Sequence, residues 1–137
     1  MDLGLQGRVA IVAAASKGLG RAVAEELARE GAKIAICSRE AKNIERTATE
    51  IQASTKQRVL WRAVDVRQEE AIAAFVADTE REFGRIDICV TNSGGPPSHS
   101  FEETKPEDWR SAVDQLLMST VFFARETLPR MKKNNWG

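Results

Sequence analysis

The sequence predicts an α/β fold, a parallel sheet with helices on both faces, and three observations carry that expectation. Short apolar runs alternate with segments of helical periodicity along the whole chain. The first apolar run breaks into a turn of small residues before a helical pattern begins, and the glycine-rich and polar stretches fall where apolar runs end. With 137 residues, 42% hydrophobic and 29% charged, the chain can bury one core but hardly two, so a single domain spanning 1–137 is expected.

Val9-Ala10-Ile11-Val12 reads as the first strand, and Ala13 to Gly20 as its turn into a helix. In that helix Leu19, Val23 and Leu27 recur at helical spacing, Ala22, Ala24 and Ala28 keep it slim, and Gly31 stands where a C-cap glycine belongs. Lys33 to Ser38 is the second strand. Ile44, Ala48 and Ile51 mark the second helix, Arg58 to Val64 the third strand, and Asp65-Val66 its close. Ile72, Phe75, Val76, Thr79 and Phe83 trace one face of a third helix stopped at Gly84, and Ile86 to Thr91 makes the fourth strand. The turn Asn92-Ser93-Gly94-Gly95-Pro96-Pro97 can continue neither structure.

A last helix is announced by Thr104-Lys105-Pro106-Glu107, a capping-box pattern with proline in the first turn. From there Trp109, Val113, Leu116, Leu117, Val121, Ala124 and Leu128 form an apolar stripe running to Pro129. Such a stripe predicts a core face, with contact to a second subunit as the other reading.

Composition excludes several function classes. Twenty basic residues balance twenty acidic ones without a block of like charge, which gives no footprint for nucleic acid or an anionic membrane. No apolar stretch approaches the roughly 20 residues of a membrane span, and Met1 to Gln6 lacks the basic start and apolar middle of a secretion signal, so a cytoplasmic location is expected. Cys37 and Cys89 sit in apolar strand patterns at no zinc or redox spacing and read as inert core thiols. His99, the only histidine, lies in a polar loop and is given no role.

What remains is a ligand edge. The first backbone N–H groups of a helix lack partners, so with the helix dipole they can hold a pyrophosphate where no bulky side chain intervenes. Gly18 and Gly20 remove that obstruction. In a parallel α/β sheet, ligands collect beyond the carboxyl ends of the strands. Ser16 to Gly20, Ser38 and Arg39, Asp65, and Asn92 to Gly94 each follow a different strand, and their convergence on one edge predicts a nucleotide site. A receiver-like domain would gather carboxylates at those ends to hold a metal, and only Asp65 stands there. No metal site is expected.

These residues resemble the short-chain dehydrogenase/reductases over nearly the whole chain. That family's Thr-Gly-x-x-x-Gly-x-Gly is matched by Ala13-Ala14-Ala15-Ser16-Lys17-Gly18-Leu19-Gly20, its Asp-Val by Asp65-Val66, and its Asn-Asn-Ala-Gly by Thr91-Asn92-Ser93-Gly94. More narrowly, the small-residue turn with Asn-Ser-Gly-Gly-Pro is similar to a subgroup labelled 3-oxoacyl-(acyl carrier protein) reductase-like. The resemblance implies a Rossmann-type doubly wound sheet with strand order 3-2-1-4, cut short before a fifth strand. It implies that Ala14, Ser16, Lys17, Gly18, Leu19 and Gly20 form the turn around pyrophosphate and adenosine ribose. Asp65 would bond the adenine amine and Val66 touch the ring, while Asn92, Ser93 and Gly94 would lie beside the nicotinamide ribose. An acidic residue usually ends strand two in NAD-dependent members. Ser38-Arg39 stands there instead, and Arg39 with Lys17 can neutralise a 2′-phosphate, so NADP(H) is expected over NAD(H).

Three departures qualify the resemblance. Ala14 replaces the first motif glycine, and Leu116 takes the place of a catalytic asparagine, with the neighbouring Gln115 expected to point off at another angle. The family's reaction also needs a tyrosine, a lysine four residues later and a serine, and this chain contains no tyrosine. The expectation is therefore the cofactor-binding portion of an NADPH-dependent oxidoreductase that reduces a small-molecule carbonyl to an alcohol. Without the catalytic set it should be inactive alone, and it should be homo-oligomeric, a dimer or tetramer, through its open sheet edge or last helix. The alternative is a noncatalytic nucleotide-binding or subunit-interaction module.

Overall fold

The computed structural model describes residues 1–137. Four parallel strands, β1 (Val9–Val12), β2 (Lys33–Ser38), β3 (Val59–Ala63) and β4 (Ile88–Val90), form one sheet in the order β3-β2-β1-β4. Between them run α1 (Gly18–Arg29), α2 (Ala41–Thr55) and α3 (Glu69–Phe83). After β4 the chain forms α4 (Pro106–Val113), a π-helical turn (Asp114–Met118) and α5 (Ser119–Lys133). The order is the expected one, and it makes β1 and β2 the central strands.

Central strands are covered on both faces, which is why they are continuously apolar. Alternate residues go to opposite layers. Ala10, Val12, Ile34 and Ile36 pack against Ala24 and Ala28 of α1 and Ile44, Ala48 and Ile51 of α2. Ile11, Ala35 and Cys37 pack against Ile72, Phe75 and Val76 of α3 and Phe123 of α5. A parallel crossover thus places α1 and α2 on one side and α3 and α5 on the other.

The buried faces of α2 and α3 are those the periodicity predicts. That of α1 is not. Gly20, Ala24 and Ala28 face the sheet, while Leu19 is 82% exposed and Val23 also reaches solvent. Of the predicted stripe only Leu27 packs against the core; small side chains let α1 approach the strands closely, and that close approach outweighs the transfer energy of burying Leu19 and Val23. Gly31 follows the last turn at φ +90°, the left-handed position a helix stop requires.

The last helix departs further from expectation. Its cap sits one residue later than the Thr104 pattern implies: Asp108 accepts the Lys105 N–H at 3.0 Å, and Thr104 Oγ1 instead donates to the Ser100 carbonyl. The helix is interrupted by the π turn, where the Ser119 N–H donates to the Asp114 carbonyl. Two hydroxyls complete the widened turn, Ser119 Oγ donating to the Gln115 carbonyl at 2.6 Å and Thr120 Oγ1 to that of Leu116 at 3.2 Å. Pro129 does not end α5, which runs on to Lys133, held by the Arg130 to Glu80 pair at 2.7 Å. The apolar stripe expected in the core is exposed, with Trp109 at 52% and Leu117 at 58%. Only Ser119, Phe123 and Thr127 of α5 are buried, and they, rather than the leucine stripe, form the face turned to the sheet.

One polar anchor registers the two strands that flank the ligand edge. The Asp87 carboxylate, with no solvent exposure, accepts the Val9 N–H at 3.0 Å and three contacts of 2.6 to 3.0 Å from the Arg85 guanidinium. Arg8 approaches it at 3.5 Å and lies over the Trp136 ring, while the Asp87 N–H donates to the Val9 carbonyl. Sheet register and the end of the chain meet at one carboxylate.

Candidate functional site

The turn after β1 is fixed from three directions. Its Ala13 N–H donates to the Val90 carbonyl of β4 and its Ala15 N–H to the Cys37 carbonyl of β2. From α2, the buried Thr47 donates Oγ1 to the Ser16 carbonyl at 2.9 Å. Ala14 lies at φ +48°, in the left-handed region that costs a residue with a Cβ roughly 1 kcal/mol or more. The backbone therefore follows the path a glycine would take there. Gly18 is at φ +58° with open space beyond it, and Gly20 is packed tightly: a Cβ on it would run into the Ala14 carbonyl oxygen and lie 2.8 Å from Asn92 Nδ2.

Beyond the carboxyl ends of the strands lies a cavity of about 480 Å³. Ala14, Ser16, Lys17, Gly18 and Leu19 line it from the first turn, Ser38 and Arg39 from the end of β2, Asp65 and Val66 from β3, and Asn92, Ser93 and Gly94 from β4. Every candidate site residue except Gly20 thus borders one space. Gly20 lies beneath it, buried, where its lack of a side chain lets Asn92 Nδ2 donate to the Ala14 carbonyl at 3.3 Å. That bond ties the fourth strand end to the first.

The structure adds residues that sequence reasoning did not select: Glu40, Asn43 and Arg46 from the start of α2, Val64, Arg67, and Gln115 from the π turn. Gln115 does not point away, as its neighbour's alignment implied; its Nε2 donates to the Gly94 carbonyl, because the π turn rotates it toward β4. A proper helical phase would have hidden this. Arg67 changes the reading of Asp65 as well. Its Nε reaches both carboxylate oxygens, at 3.0 and 3.2 Å, its Nη2 lies 2.7 Å from Oδ2, and its backbone N–H donates to Oδ1. Those side-chain bonds hold the Asp65 carboxyl below the usual carboxylate range, so it is an anion at neutral pH already engaged by a cation.

The charges of the cavity are lopsided. Lys17 and Arg39 form no salt bridge, although the charge of Arg39 helps hold down the Asp65 carboxyl. Ser38 Oγ, at the end of β2 in the same lining, is the one buried side-chain polar atom of the chain without a hydrogen bond. A buried hydroxyl left unpaired costs about 1–3 kcal/mol, which a ligand oxygen would relieve. Open backbone N–H groups at the start of α1, unpaired cations and an orphan hydroxyl together suit a ligand bearing phosphate and hydroxyl groups. The cysteines take no part: burial pushes the Cys37 thiol up to about 12 and that of Cys89 to about 11, so both stay protonated. No helix is long and apolar enough to cross a membrane, and no cluster of metal-ligating side chains occurs.

Known proteins share this arrangement. The family model described as short chain dehydrogenase matches residues 8–137. An uncharacterised oxidoreductase of Staphylococcus saprophyticus is 32% identical over 133 residues, 97% of this chain and 57% of the relative. An NADP-dependent (R)-specific alcohol dehydrogenase of Lentilactobacillus kefiri is 33% identical over 133 residues, 97% of this chain and 52% of its own. Among solved structures, L-sorbose reductase from Gluconobacter frateurii, complexed with NADPH and L-sorbose, superposes with a TM-score of 0.93 at 34% identity, covering 98% of this chain and 51% of that one. The alcohol dehydrogenase of Thermococcus sibiricus, complexed with 5-hydroxy-NADP, gives 0.88 at 26% identity over 94% of this chain and 55% of that one. The chain spans about half the length of the relatives it matches. On its motifs, its sheet order and these matches, the chain belongs to the short-chain dehydrogenase/reductase family.

Proposed function

We propose that these residues form the cofactor half of an NADPH-dependent oxidoreductase that reduces a small-molecule carbonyl to an alcohol. One observation carries the reading: Lys17 and Arg39, neither in a salt bridge, line the same cavity as Ser38 with its orphan hydroxyl, and position 38–39 is where an NAD-dependent site would present a carboxylate. A guanidinium and an ammonium there attract a 2′-phosphate, and no carboxylate at 38 or 39 repels it.

The turn from Ala14 to Gly20 carries the pyrophosphate on the first N–H groups of α1, and Asp65 with Val66 borders the adenine. Both Asp65 oxygens are held by Arg67, so an adenine amine must share or displace that pair. Asn92, bonded to Ala14, keeps the fourth strand end against the turn, and Gln115 holds the loop at Gly94. Bound, the nicotinamide supplies a hydride. The residues here bind and orient it; the tyrosine that would exchange the proton has no counterpart among the 137. By its turn and its Asn-Ser-Gly-Gly-Pro loop we place the chain with the 3-oxoacyl-(acyl carrier protein) reductase-like subgroup, acting in the cytoplasm.

A fluorescence titration of the chain with NADPH and NADH, read on tryptophan and nicotinamide emission, tests this. Saturable binding at least about tenfold tighter for NADPH, a difference of 1.4 kcal/mol, is expected, with no carbonyl turnover by the chain alone. A folded chain that binds neither dinucleotide overturns the reading. We also assign the exposed face from Trp109 to Leu128 to a contact between copies, since a stripe of this kind is too apolar for a free surface. Sedimentation should show a dimer or tetramer; a monomer at all concentrations contradicts the assignment.

A further inference from the structure

Resting on the cofactor reading, we infer that Arg46 is a second specificity-determining cation, which closes with Arg39 on the 2′-phosphate from the side of α2. Helix α2 begins two residues after Arg39, and Asn43 and Arg46, three positions apart, share one of its faces. Both border the cavity that Ser38 and Arg39 line. The phase of the helix is not free: Ile44, Thr47, Ala48 and Ile51 are buried, and the Thr47 bond to the Ser16 carbonyl clamps α2 against the turn after β1. That clamp holds the Arg46 position at the rim of the cavity, where its side chain also meets solvent.

The charge pattern singles out this arginine. Every arginine of the chain other than Arg39, Arg46 and Arg110 is ion-paired with a carboxylate. Two of those three border the one cavity with an orphan buried hydroxyl. Arg46 has a carboxylate at the helical i+4 position, Glu50, which would ordinarily pair with it. Instead Glu50 is held by Arg21 of α1 at 2.7 Å, and the Arg46 guanidinium is left available.

Within the cavity lining Arg67 and Asp65 cancel each other, and Lys17, Arg39 and Arg46 then stand against Glu40 alone. The balance is two positive charges, which matches a phosphomonoester of about −1.5 to −2 at neutral pH. A ribose 2′-hydroxyl requires no such excess. Without Arg46 the surplus falls to one, and the phosphate would be held from the end of β2 and the turn after β1 but not from α2.

The test is a double-substitution cycle on the full chain, with Arg46→Gln, Arg39→Gln and both, titrated with NADPH and NADH. Loss of one charge-assisted contact should weaken NADPH binding by about tenfold or more in each single variant. NADH binding should stay within about twofold in Arg46→Gln, well short of the roughly tenfold loss expected for NADPH. The double variant should lose the preference for NADPH, and Arg46→Lys should restore part of it. Arg46 is exposed and unpaired, so thermal unfolding of the variants should match the parent. NADPH affinity unchanged in Arg46→Gln overturns the inference while leaving the cofactor reading intact, and so does an equal loss for NADH. A parent chain that is folded yet binds neither dinucleotide overturns both.

Discussion

Replacing Asp87 by alanine should lower the unfolding free energy by about 3 kcal/mol, the lower end of what breaking a buried ion pair costs. The carboxylate is wholly buried, accepts the Val9 N–H at 3.0 Å and is held by the Arg85 guanidinium in three contacts of 2.6 to 3.0 Å. Alanine leaves that N–H unpaired at the first residue of β1 and removes the only side chain joining it to the start of β4. The arginines themselves suffer less, because Arg8 and Arg85 are 25% and 38% exposed and can turn to water. Arg8→Ala should therefore cost about 1 kcal/mol, the range of a partly exposed pair with some lost packing on Trp136. With a urea slope of about 1–3 kcal/mol per molar, the Asp87→Ala midpoint should fall by one molar or more. A fall no larger than the roughly 0.5 kcal/mol of an ordinary surface change would remove Asp87 as the anchor of strand register.

How the anchor and the cavity could be read from sequence differs instructively. The parallel sheet, the buried faces of α2 and α3, and the meeting of the four strand ends follow from features a linear chain displays, period, turn residues and position, whereas the strand order comes from the family resemblance of the motifs. The exposed Leu19 does not, because the choice of face on α1 was decided by how closely Ala24 and Ala28 could approach the sheet, a property of two surfaces rather than of one helix. Gln115 was hidden for a related reason. A helix pattern assumes a constant 100° between residues, and the π turn at Asp114–Met118 breaks that phase without a glycine or proline to announce it. The partners of the site were hidden too. Thr47 is an unremarked polar residue in an apolar stripe until Ser16 is placed beside it, and Arg67 is one charge among twenty basic residues until its guanidinium is seen on Asp65. Side-chain pairing across elements is tertiary information, which periodicity does not contain.

Gly20→Ala should abolish saturable dinucleotide binding, and Gly18→Ala should not. The two glycines are two residues apart in the same turn, yet their surroundings differ in kind. At Gly20 the added methyl meets the Ala14 carbonyl oxygen and Asn92 Nδ2, both fixed: the first belongs to a turn pinned to β2, β4 and α2, the second to the end of β4. Either α1 moves outward or the turn gives way, at a cost of about 1–3 kcal/mol for overpacking. Both movements displace the first N–H groups of α1 from the cavity, and the Asn92 to Ala14 bond is lost with them. At Gly18 nothing lies near the new methyl, and only its φ of +58° opposes it, a strain of about 1 kcal/mol or slightly more. Circular dichroism and urea unfolding would show both variants folded, Gly20→Ala the less stable. If Gly20→Ala then bound NADPH like the parent chain, the dinucleotide would have to lie away from the start of α1, and the assignment of the cavity would fall with it.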